Sequence, residues 1–397
     1  MKKLLLLLAI AAAAFAQYDQ YGGWQKLKGR KTGYFHTEQI GGRWWLVSPE
    51  GNAFFSKGVC NVSYTPENDS APPAPSDIPA WMKTVTGELR DWNFNTVGAW
   101  STREMWETGL AYTPILGIAA SAGRDVWLKG GIPDYFSSEF REGADRAAAG
   151  QCGPRANDPR LLGYFTDNEL RWGADWRSKE TLFDTYLKMA ENAPGRQKAL
   201  ELLKSRGRTP ETATDEDKAA FLEMAAAEYA RVSHEAIRKY DKNHLIIGCR
   251  FAGYAPEPVL RGVGKYFDIV SYNSYNPKAP VDKLTQITQI TSKPTMITEF
   301  SFKAMDSGLP NTKGAAKPLA TQQERADGFA GYVEALAEHS SCVGFHWFEF
   351  RDQPKEGRRL DGENSNYGLV KIDFTPWEVL TKRMTAVNAT LEQIRAR

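Results

Sequence analysis

Short apolar runs, rich in β-branched and aromatic residues, alternate along this chain with longer segments of helical periodicity. Eight runs are predicted as strands: 54–59, 96–99, 112–118, 162–165, 245–249, 269–274, 295–298 and 343–348. Helical patterns separate most of them, for example over 78–91, 221–240 and 321–339. Eight such units favour an α/β fold of the closed (β/α)8 TIM barrel type. A doubly wound open sheet is the alternative, but no glycine-rich phosphate loop follows a strand in this sequence.

Two further segments extend this pattern. Strand-like runs joined by Gly41-Gly42 predict a short N-terminal β-hairpin segment within 17–52, so we assign 53–397 to the barrel. The charged stretch at about 175–240 is longer than one crossover helix requires. It predicts a helical elaboration after the fourth strand, with a separate helical domain as the alternative. The expected helices cover 178–190, 197–206 and 217–240.

The first sixteen residues have the pattern of a secretory signal peptide. Lys2 and Lys3 precede an apolar run over 4–14, and Ala14 and Ala16 fit a peptidase site. The apolar run is shorter than the roughly 20 residues that a bilayer span needs. We therefore expect residues 1–16 to be removed and the protein to be secreted or periplasmic, with an uncleaved anchor as the alternative.

Composition narrows the class of partner. The 50 Lys and Arg residues balance 48 Asp and Glu residues, which argues against a nucleic acid or an anionic membrane as partner and favours a neutral one. The scattered Cys60, Cys152, Cys249 and Cys342 form no metal-binding motif, and buried thiols are a simpler expectation than a disulfide. No metal or cofactor is expected. The 12 tryptophans exceed what a core needs, and aromatic faces stack on the C–H faces of sugars.

Two strand-like runs end in a glutamate, Glu169 after the fourth strand and Glu299 at the end of the seventh. A carboxylate at such a position is costly to desolvate unless it has a task or a partner. The carboxyl ends of barrel strands meet at one mouth, which would bring the two glutamates together. Two carboxyl groups are the minimal equipment for cleaving a glycosidic bond. An ion pair with Arg171 is the alternative for Glu169, and a surface position is the alternative for Glu299.

Polar residues at neighbouring strand ends are candidate substrate contacts. Asn168 precedes Glu169 and can bind a sugar hydroxyl or cap the strand. Asn273 and Tyr275 share one face of the sixth strand, where Tyr275 can hold the nucleophilic carboxylate or simply pack. Arg250 follows the fifth strand and can hold a carboxylate or substrate.

The eighth strand and two loops supply further candidates. Trp347 is predicted to form the floor of a sugar subsite, and His346 is either a substrate donor or a core residue. Glu349 is a third carboxylate that can contact substrate, replace one of the pair, or pair with Arg351. Two more residues are candidates for sugar stacking, with core packing as the alternative: Trp100 and Trp172.

These strand ends resemble those of clan A glycoside hydrolases, which are (β/α)8 barrels that retain anomeric configuration. Several strings are similar, more narrowly, to the family 50 β-agarases: GYFTDNE at 163–169, HWFEFRDQP at 346–354, DGENSNYG at 361–368, GRWWLVSPEG at 42–51, TEF at 298–300 and QER at 323–325. The similarity covers residues from about 35 to 380. One departure is Ser301, where the family pattern has histidine.

The resemblance implies that Glu169 is the general acid/base and Glu299 the nucleophile. It implies cleavage of β-galactosidic linkages in agarose or a related neutral galactan or oligosaccharide, by double displacement. A retaining enzyme requires carboxyl groups roughly 5–5.5 Å apart. Two alternatives stay open, a clan A enzyme for another β-linked sugar (β-glucan, β-mannan or β-galactoside) and a non-catalytic carbohydrate-binding barrel.

Overall fold

The computed structural model describes residues 17–122, 125–253 and 255–397, so the predicted signal peptide over 1–16 lies outside it. The strands are β1 (Trp24–Lys28), β2 (His36–Ile40), β3 (Arg43–Val47), β4 (Asn52–Phe54), β5 (Ser56–Val59), β6 (Thr96–Val97), β7 (Ala111–Tyr112), β8 (Gly163–Phe165), β9 (Leu245–Gly248), β10 (Phe251–Ala252), β11 (Val270–Asn273), β12 (Thr295–Phe300) and β13 (Cys342–Trp347). The helices are α1 (Ile78–Asp91), α2 (Ser138–Gln151), α3 (Leu182–Leu187), α4 (Pro194–Ser205), α5 (Asp215–Tyr240), α6 (Glu257–Val263), α7 (Val281–Thr291), α8 (Gln322–Glu338), α9 (Glu378–Asn388) and α10 (Leu391–Arg395).

Parallel strands form the centre of the protein. Seven lie in one sheet in the order β10-β11-β12-β13-β5-β6-β7, and β8 pairs with β9 in a second parallel sheet. Parallel bridges from Tyr112 to Leu161 and from Ile115 to Phe165 connect the β7 segment to β8. On the other side of the small sheet, the Asp268 amide donates to the Ile246 carbonyl at 2.9 Å. The α/β architecture predicted from the alternating pattern is therefore confirmed, and the carboxyl ends of the seven parallel strands lie along one edge of their sheet.

Two predicted strands differ most from the observed ones. The run 112–118 contributes only Tyr112 to β7, because Pro114 has no N–H for a ladder, although its carbonyl accepts a hydrogen bond from the Phe165 amide at 2.9 Å. The run 54–59 is divided at Phe55 between two sheets. Its first residue ends β4, which belongs to the antiparallel sheet β1-β4-β3-β2, and the remainder forms β5. The predicted hairpin segment is thus a four-stranded sheet that extends to Phe54.

Local capping explains where two of the helices begin. Helix α1 has the predicted bounds, and the Asp77 side chain accepts a hydrogen bond from the Ala80 amide at its first turn. Helix α5 begins earlier than predicted because Thr214 and Asp217 form a reciprocal capping box. Helices α3, α4 and α5 all lie between β8 and β9 in sequence, as expected for a helical stretch after the fourth parallel strand.

Strand β13 shows how the sheet separates two buried layers. Phe345 and Trp347 lie on one face and pack against Phe329 of α8. His346 lies on the opposite face, where its Nε2 is 3.0 Å from the Ser56 hydroxyl. The period of two along a strand therefore determines which of these side chains can reach a ligand.

Residues 17–122, 125–253 and 255–397 include no helix that is long and apolar enough to cross a lipid bilayer. The four cysteines are buried free thiols.

Two buried cations, Lys57 and Arg395, connect the C-terminal helices α9 and α10 to the rest of the protein. Lys57 of β5 donates to the Glu392 carboxylate at 2.6 Å and to the Asn388 carbonyl at 3.1 Å. The Lys57 and Glu392 side chains are only 3% and 1% exposed. Arg395 donates to the backbone carbonyls of His339 and Ser340 at 2.7 and 3.0 Å, and also to that of Trp44.

Removing one partner of this ion pair should be more damaging than removing both. We expect Lys57→Met to lower the free energy of unfolding by about 3–5 kcal/mol, because Glu392 is left as an unpaired buried charge. The double variant Lys57→Met/Glu392→Met should recover most of that loss. Urea denaturation followed by circular dichroism measures both changes, and equal stability of the single and double variants would contradict the prediction.

Candidate active site

Glu299 lies near the end of β12 and is 5% exposed. Its Oε1 accepts hydrogen bonds from Arg250 Nη2 at 2.6 Å and Trp100 Nε1 at 3.1 Å. Its Oε2 accepts one from the Tyr275 hydroxyl at 2.9 Å. Three donors from three separate strand ends therefore fix both oxygens of this carboxylate.

Arg250 occupies the bend between β9 and β10 and is completely buried. Its Nη1 donates to Asn168 Oδ1 at 2.8 Å, and its Nη2 donates to the Thr298 carbonyl at 2.9 Å as well as to Glu299. Burial alone lowers the pKa of a guanidinium, but the nearby acidic groups Glu299, Cys60 and Glu169 together outweigh it, and the pKa of Arg250 is raised. The arginine is therefore a permanent cation between the two acidic strand ends.

Glu169 follows β8 in a left-handed backbone conformation, with φ of 49°. Its amide donates to the carbonyls of Cys249 and Arg250, both at 3.2 Å, which holds the turn against the neighbouring strand. Its Oε1 accepts a hydrogen bond from Asn273 Nδ2 at 3.0 Å, and its Oε2 accepts one from Trp127 Nε1 at 3.4 Å. Burial, and then the negative charge of Glu299, raise the pKa of Glu169.

Two amides connect the glutamates. Asn273 Nδ2 donates to Glu169 and, at 3.4 Å, to Asn168 Oδ1, while Asn273 Oδ1 accepts a hydrogen bond from the Thr298 hydroxyl at 2.9 Å. Because Asn168 Oδ1 also accepts from Arg250, a continuous hydrogen-bonded network runs from Glu169 to Glu299. The structure thus brings together five of the predicted contact residues around the two glutamates: Trp100, Asn168, Arg250, Asn273 and Tyr275.

Trp347 does not reach this cleft, contrary to the sequence prediction. It is completely buried on the helix-facing side of β13, and its Nε1 donates to the Tyr367 carbonyl at 2.9 Å. Phe348 lies on the side of the cleft instead, with its ring 6.2 Å from that of Tyr275 and 5.8 Å from that of Tyr367. The prediction for Trp347 is wrong because neighbouring residues of a strand point to opposite faces of the sheet.

Two other predicted contact residues are also in the core. His346 is completely buried beside Ser56, and burial lowers its pKa to about 3, so it is a neutral core histidine. Trp172 is 5% exposed and packs against Tyr229 and Phe251. Neither residue has a hydrogen bond or ring contact with the two glutamates in the described structure.

Glu349 is completely buried within a group of polar side chains beyond Tyr275. It accepts hydrogen bonds from Asn61 and, at 2.9 Å, from Gln353. Burial, and then the nearby Glu67 carboxylate, raise the pKa of Glu349 well above its ordinary value. The alternative pairing with Arg351 is not formed, since Arg351 Nη2 donates to the Thr65 carbonyl at 2.7 Å.

Sequence reasoning missed three residues of the cleft. Trp127 and Tyr367 lie in loops, where no periodicity distinguishes a functional aromatic residue from a packed one. Glu363 also lies in a loop, and its Oε2 accepts a hydrogen bond from Gln353 at 2.8 Å and lies 3.0 Å from Arg358 Nη2. The only signal available was the string at 361–368. Within the described ranges, no group of three or more His, Cys, Asp or Glu side chains is arranged to hold a metal ion.

Sequence comparison relates this chain to agarases. No family model matches it. β-agarase B and β-agarase A of Vibrio sp. (strain JT0107) are each 28% identical to it, over 94% and 86% of this chain. The matched regions are 50% and 44% of those proteins, so the chain spans about half the length of these relatives.

Solved structures give the same relationship. The crystal structure of an agarase, AgWH50C, is similar with a TM-score of 0.83 and 25% identity, over 100% of this chain and 70% of that one. An exo-β-agarase has a TM-score of 0.84 and 24% identity, over 96% of this chain and 68% of its own. The chain therefore has the α/β fold of these proteins and is homologous to β-agarases in sequence and structure, which confirms the resemblance at that level.

The coupling of the two glutamates can be tested by titration. We expect Glu299→Gln to lower the pKa of Glu169, because the variant removes the negative charge that disfavours ionisation of Glu169. Carbon-13 NMR of carboxyl-labelled glutamate would measure the change. Glu324→Gln, at the exposed start of α8, is the control and should leave the titration of Glu169 unaltered. An unchanged pKa in Glu299→Gln would show that the two groups do not interact.

Proposed function

We propose that this protein is a retaining glycoside hydrolase that cleaves β-galactosidic bonds in agarose or a related neutral galactan. The observation that carries the proposal is a pair of glutamates with opposite environments in one cleft. Glu299 accepts hydrogen bonds from an arginine, a tryptophan and a tyrosine, which hold both of its carboxylate oxygens in place. The raised pKa of Glu169 favours its protonated form. Homology to β-agarases supports the choice of sugar.

In the first step, a carboxylate oxygen of Glu299 attacks the anomeric carbon. The bond from that carbon to the leaving oxygen breaks, and Glu169 transfers its proton to this oxygen. The product is a glycosyl ester of Glu299, which no longer carries a negative charge. Loss of that charge lowers the pKa of Glu169, so the same group is ready to act as a base.

In the second step, Glu169 removes a proton from a water molecule that attacks the anomeric carbon. The ester bond to Glu299 breaks, and the carboxylate and the protonated Glu169 are regenerated. Arg250 and Tyr275 act by holding Glu299 in position and stabilising its charge in the free enzyme. They are positioning residues in this mechanism.

Four side chains are candidates for contact with the sugar. Asn168 has its carbonyl oxygen bound by Arg250 and Asn273, which leaves its amide nitrogen as the donor for a sugar hydroxyl. Trp100 is 46% exposed and offers an apolar surface beside Glu299, and Phe348 replaces Trp347 as the aromatic residue on the strand β13 side. Glu349 is the fourth candidate substrate contact, because it belongs to the group of polar side chains beside Tyr275.

We further propose that the parallel strands close into a single (β/α)8 barrel, with β9 and β10 counted as one strand. The bridges between the β7 segment and β8, and the bond from Asp268 to Ile246, support this closure. The segment over 17–52 would then be an appendage at its N-terminal side. Secretion rests on the signal-like pattern of residues 1–16.

Single replacement of either glutamate should nearly abolish turnover. We expect Glu169→Gln and Glu299→Gln each to lower kcat on agarose by about 10²- to 10⁴-fold or more, because one proton-transfer group or the nucleophile is lost. Reducing-end release measures activity, and circular dichroism checks folding. Glu324→Gln is the control and should be fully active. Full activity of either site variant would end the proposal, and release from a β-glucan or β-mannan in place of agarose would correct the sugar.

Retention of the anomeric configuration can be measured separately from turnover. We expect the first product seen by proton NMR to be the β-anomer, because two successive displacements at the anomeric carbon restore its configuration. Mutarotation sets the time window, so spectra are recorded immediately after enzyme addition. An initial α-anomer would mean inversion, and Glu299 would then position a water molecule instead of attacking the sugar.

A further inference from the structure

A second cavity of about 580 Å³ lies beside the turn that carries Glu169. Its size is within the range of roughly 300–1,000 Å³ that small-molecule sites usually have. Most of its lining is apolar and comes from the segment 170–183, helix α5 and the residues after β10. The principal apolar side chains are Leu170, Trp172, Trp176, Phe183 and Leu222. None of the residues assigned to the catalytic mechanism lines it.

Trp176 is the most exposed large apolar side chain in the described part of the chain, at 67%. The Arg177 guanidinium lies 4.2 Å from the centre of its ring and is itself almost completely buried. One face of the indole is therefore supported by a fixed cation, while most of its surface remains in water. An aromatic ring held in this way at a cavity rim is suited to stack on the C–H face of a pyranose.

The charges around the cavity are paired. Arg177 donates to the Asp175 carboxylate at 2.6 Å, and Lys218 Nζ lies 4.0 Å from the Asp184 carboxylate. Each charged side chain of this lining therefore has an opposite charge nearby, and hydroxyl groups can still bond to the remaining lone pairs and N–H groups. A neutral sugar matches this surface better than a charged ligand does.

Arg177 also connects the cavity to the catalytic turn. Its Nη1 donates to the backbone carbonyl of Glu169 at 2.9 Å and to that of Trp127 at 2.8 Å. The Arg177 side chain therefore both supports the Trp176 ring and binds the backbone of Glu169, the proposed acid/base. The cavity therefore adjoins the turn of Glu169, the group that the proposed mechanism places beside the leaving oxygen.

We propose that this cavity binds a neutral sugar residue on the leaving-group side of the substrate, remote from the cleaved bond, with Trp176 as its stacking platform. The proposal rests on the proposed function and adds a specificity determinant to it. The site would make the enzyme prefer long chains, because only a long substrate can occupy the cavity and the catalytic cleft together. Its contribution would come from substrate binding and not from the chemical step.

The test measures binding as a function of chain length. Agarose-derived oligosaccharides, from the disaccharide to the octasaccharide, are titrated calorimetrically into Glu299→Gln protein with and without Trp176→Ala. We expect Trp176→Ala to weaken binding of the longest oligosaccharide by roughly 3- to 10-fold, with a loss that decreases as the chain shortens. In the otherwise unaltered enzyme, the same substitution should raise KM on long chains and leave kcat nearly unchanged.

Two further variants sharpen the result. Ala219→Phe, on the α5 wall, should obstruct the cavity with Trp176 still present and produce the same length-dependent loss. Trp106→Ala removes a tryptophan that also stacks on an arginine, Arg155, but lies outside this lining, and it should leave the length dependence as it was.

An equal loss at every chain length, or no loss in Trp176→Ala, would overturn the proposal. Tighter binding of a sulfated galactan oligosaccharide than of the neutral one would also contradict it. The two proposals fail differently. If Trp176→Ala gives a length-dependent loss of binding but Glu299→Gln has full turnover, the cavity assignment stands and the catalytic assignment is wrong. If the enzyme hydrolyses agarose through Glu299 but Trp176→Ala leaves the length dependence unaltered, the catalytic assignment stands and the cavity assignment is wrong.

Discussion

The site depends on one buried cation. Burying a guanidinium costs several kcal/mol unless partners satisfy it, and Arg250 is completely enclosed at the bend between β9 and β10. It finds its partners on two other strand ends, Asn168 after β8 and Thr298 with Glu299 on β12. Any arrangement that separated these strand ends would leave an unpaired charge in the interior. The cost of burying Arg250 therefore fixes the relative positions of the two carboxylates.

Much of this site could be predicted from the sequence because strand ends carry a local signal. A polar residue at the end of a strand-like run marks the edge of a parallel sheet, and Glu169, Arg250 and Glu299 were predicted in that way, whereas Asn273 was predicted from the period of two along its strand. The prediction for Trp347 was wrong because the sequence does not show how neighbouring strands are paired. The register between β12 and β13 shifts between Thr295 and Phe300, so the sheet face that Trp347 occupies could not be predicted. The predicted bounds of the strands were also wrong for local reasons, for example at Pro114, which has no N–H to donate to a neighbouring strand.

The loops were the least predictable part, since their contribution comes from tertiary contacts. Trp127 acts on Glu169 through a single hydrogen bond across 42 positions of sequence, and nothing near it in the chain indicates that contact. The tryptophans divide in the structure into two groups that composition cannot separate. Trp172 and Trp347 are packed in the interior, whereas Trp100 and Trp176 remain exposed on loops next to the carboxyl ends of the strands.

The buried ion pair between Lys57 and Glu392 has a consequence for the order of folding. Lys57 belongs to the first parallel strand, yet it donates its hydrogen bonds to Asn388 and Glu392 of the C-terminal helices. During synthesis on the ribosome, this strand emerges more than three hundred residues before its counter-charge. The ion pair that accompanies burial of Lys57 can therefore form only after α10 has left the exit tunnel.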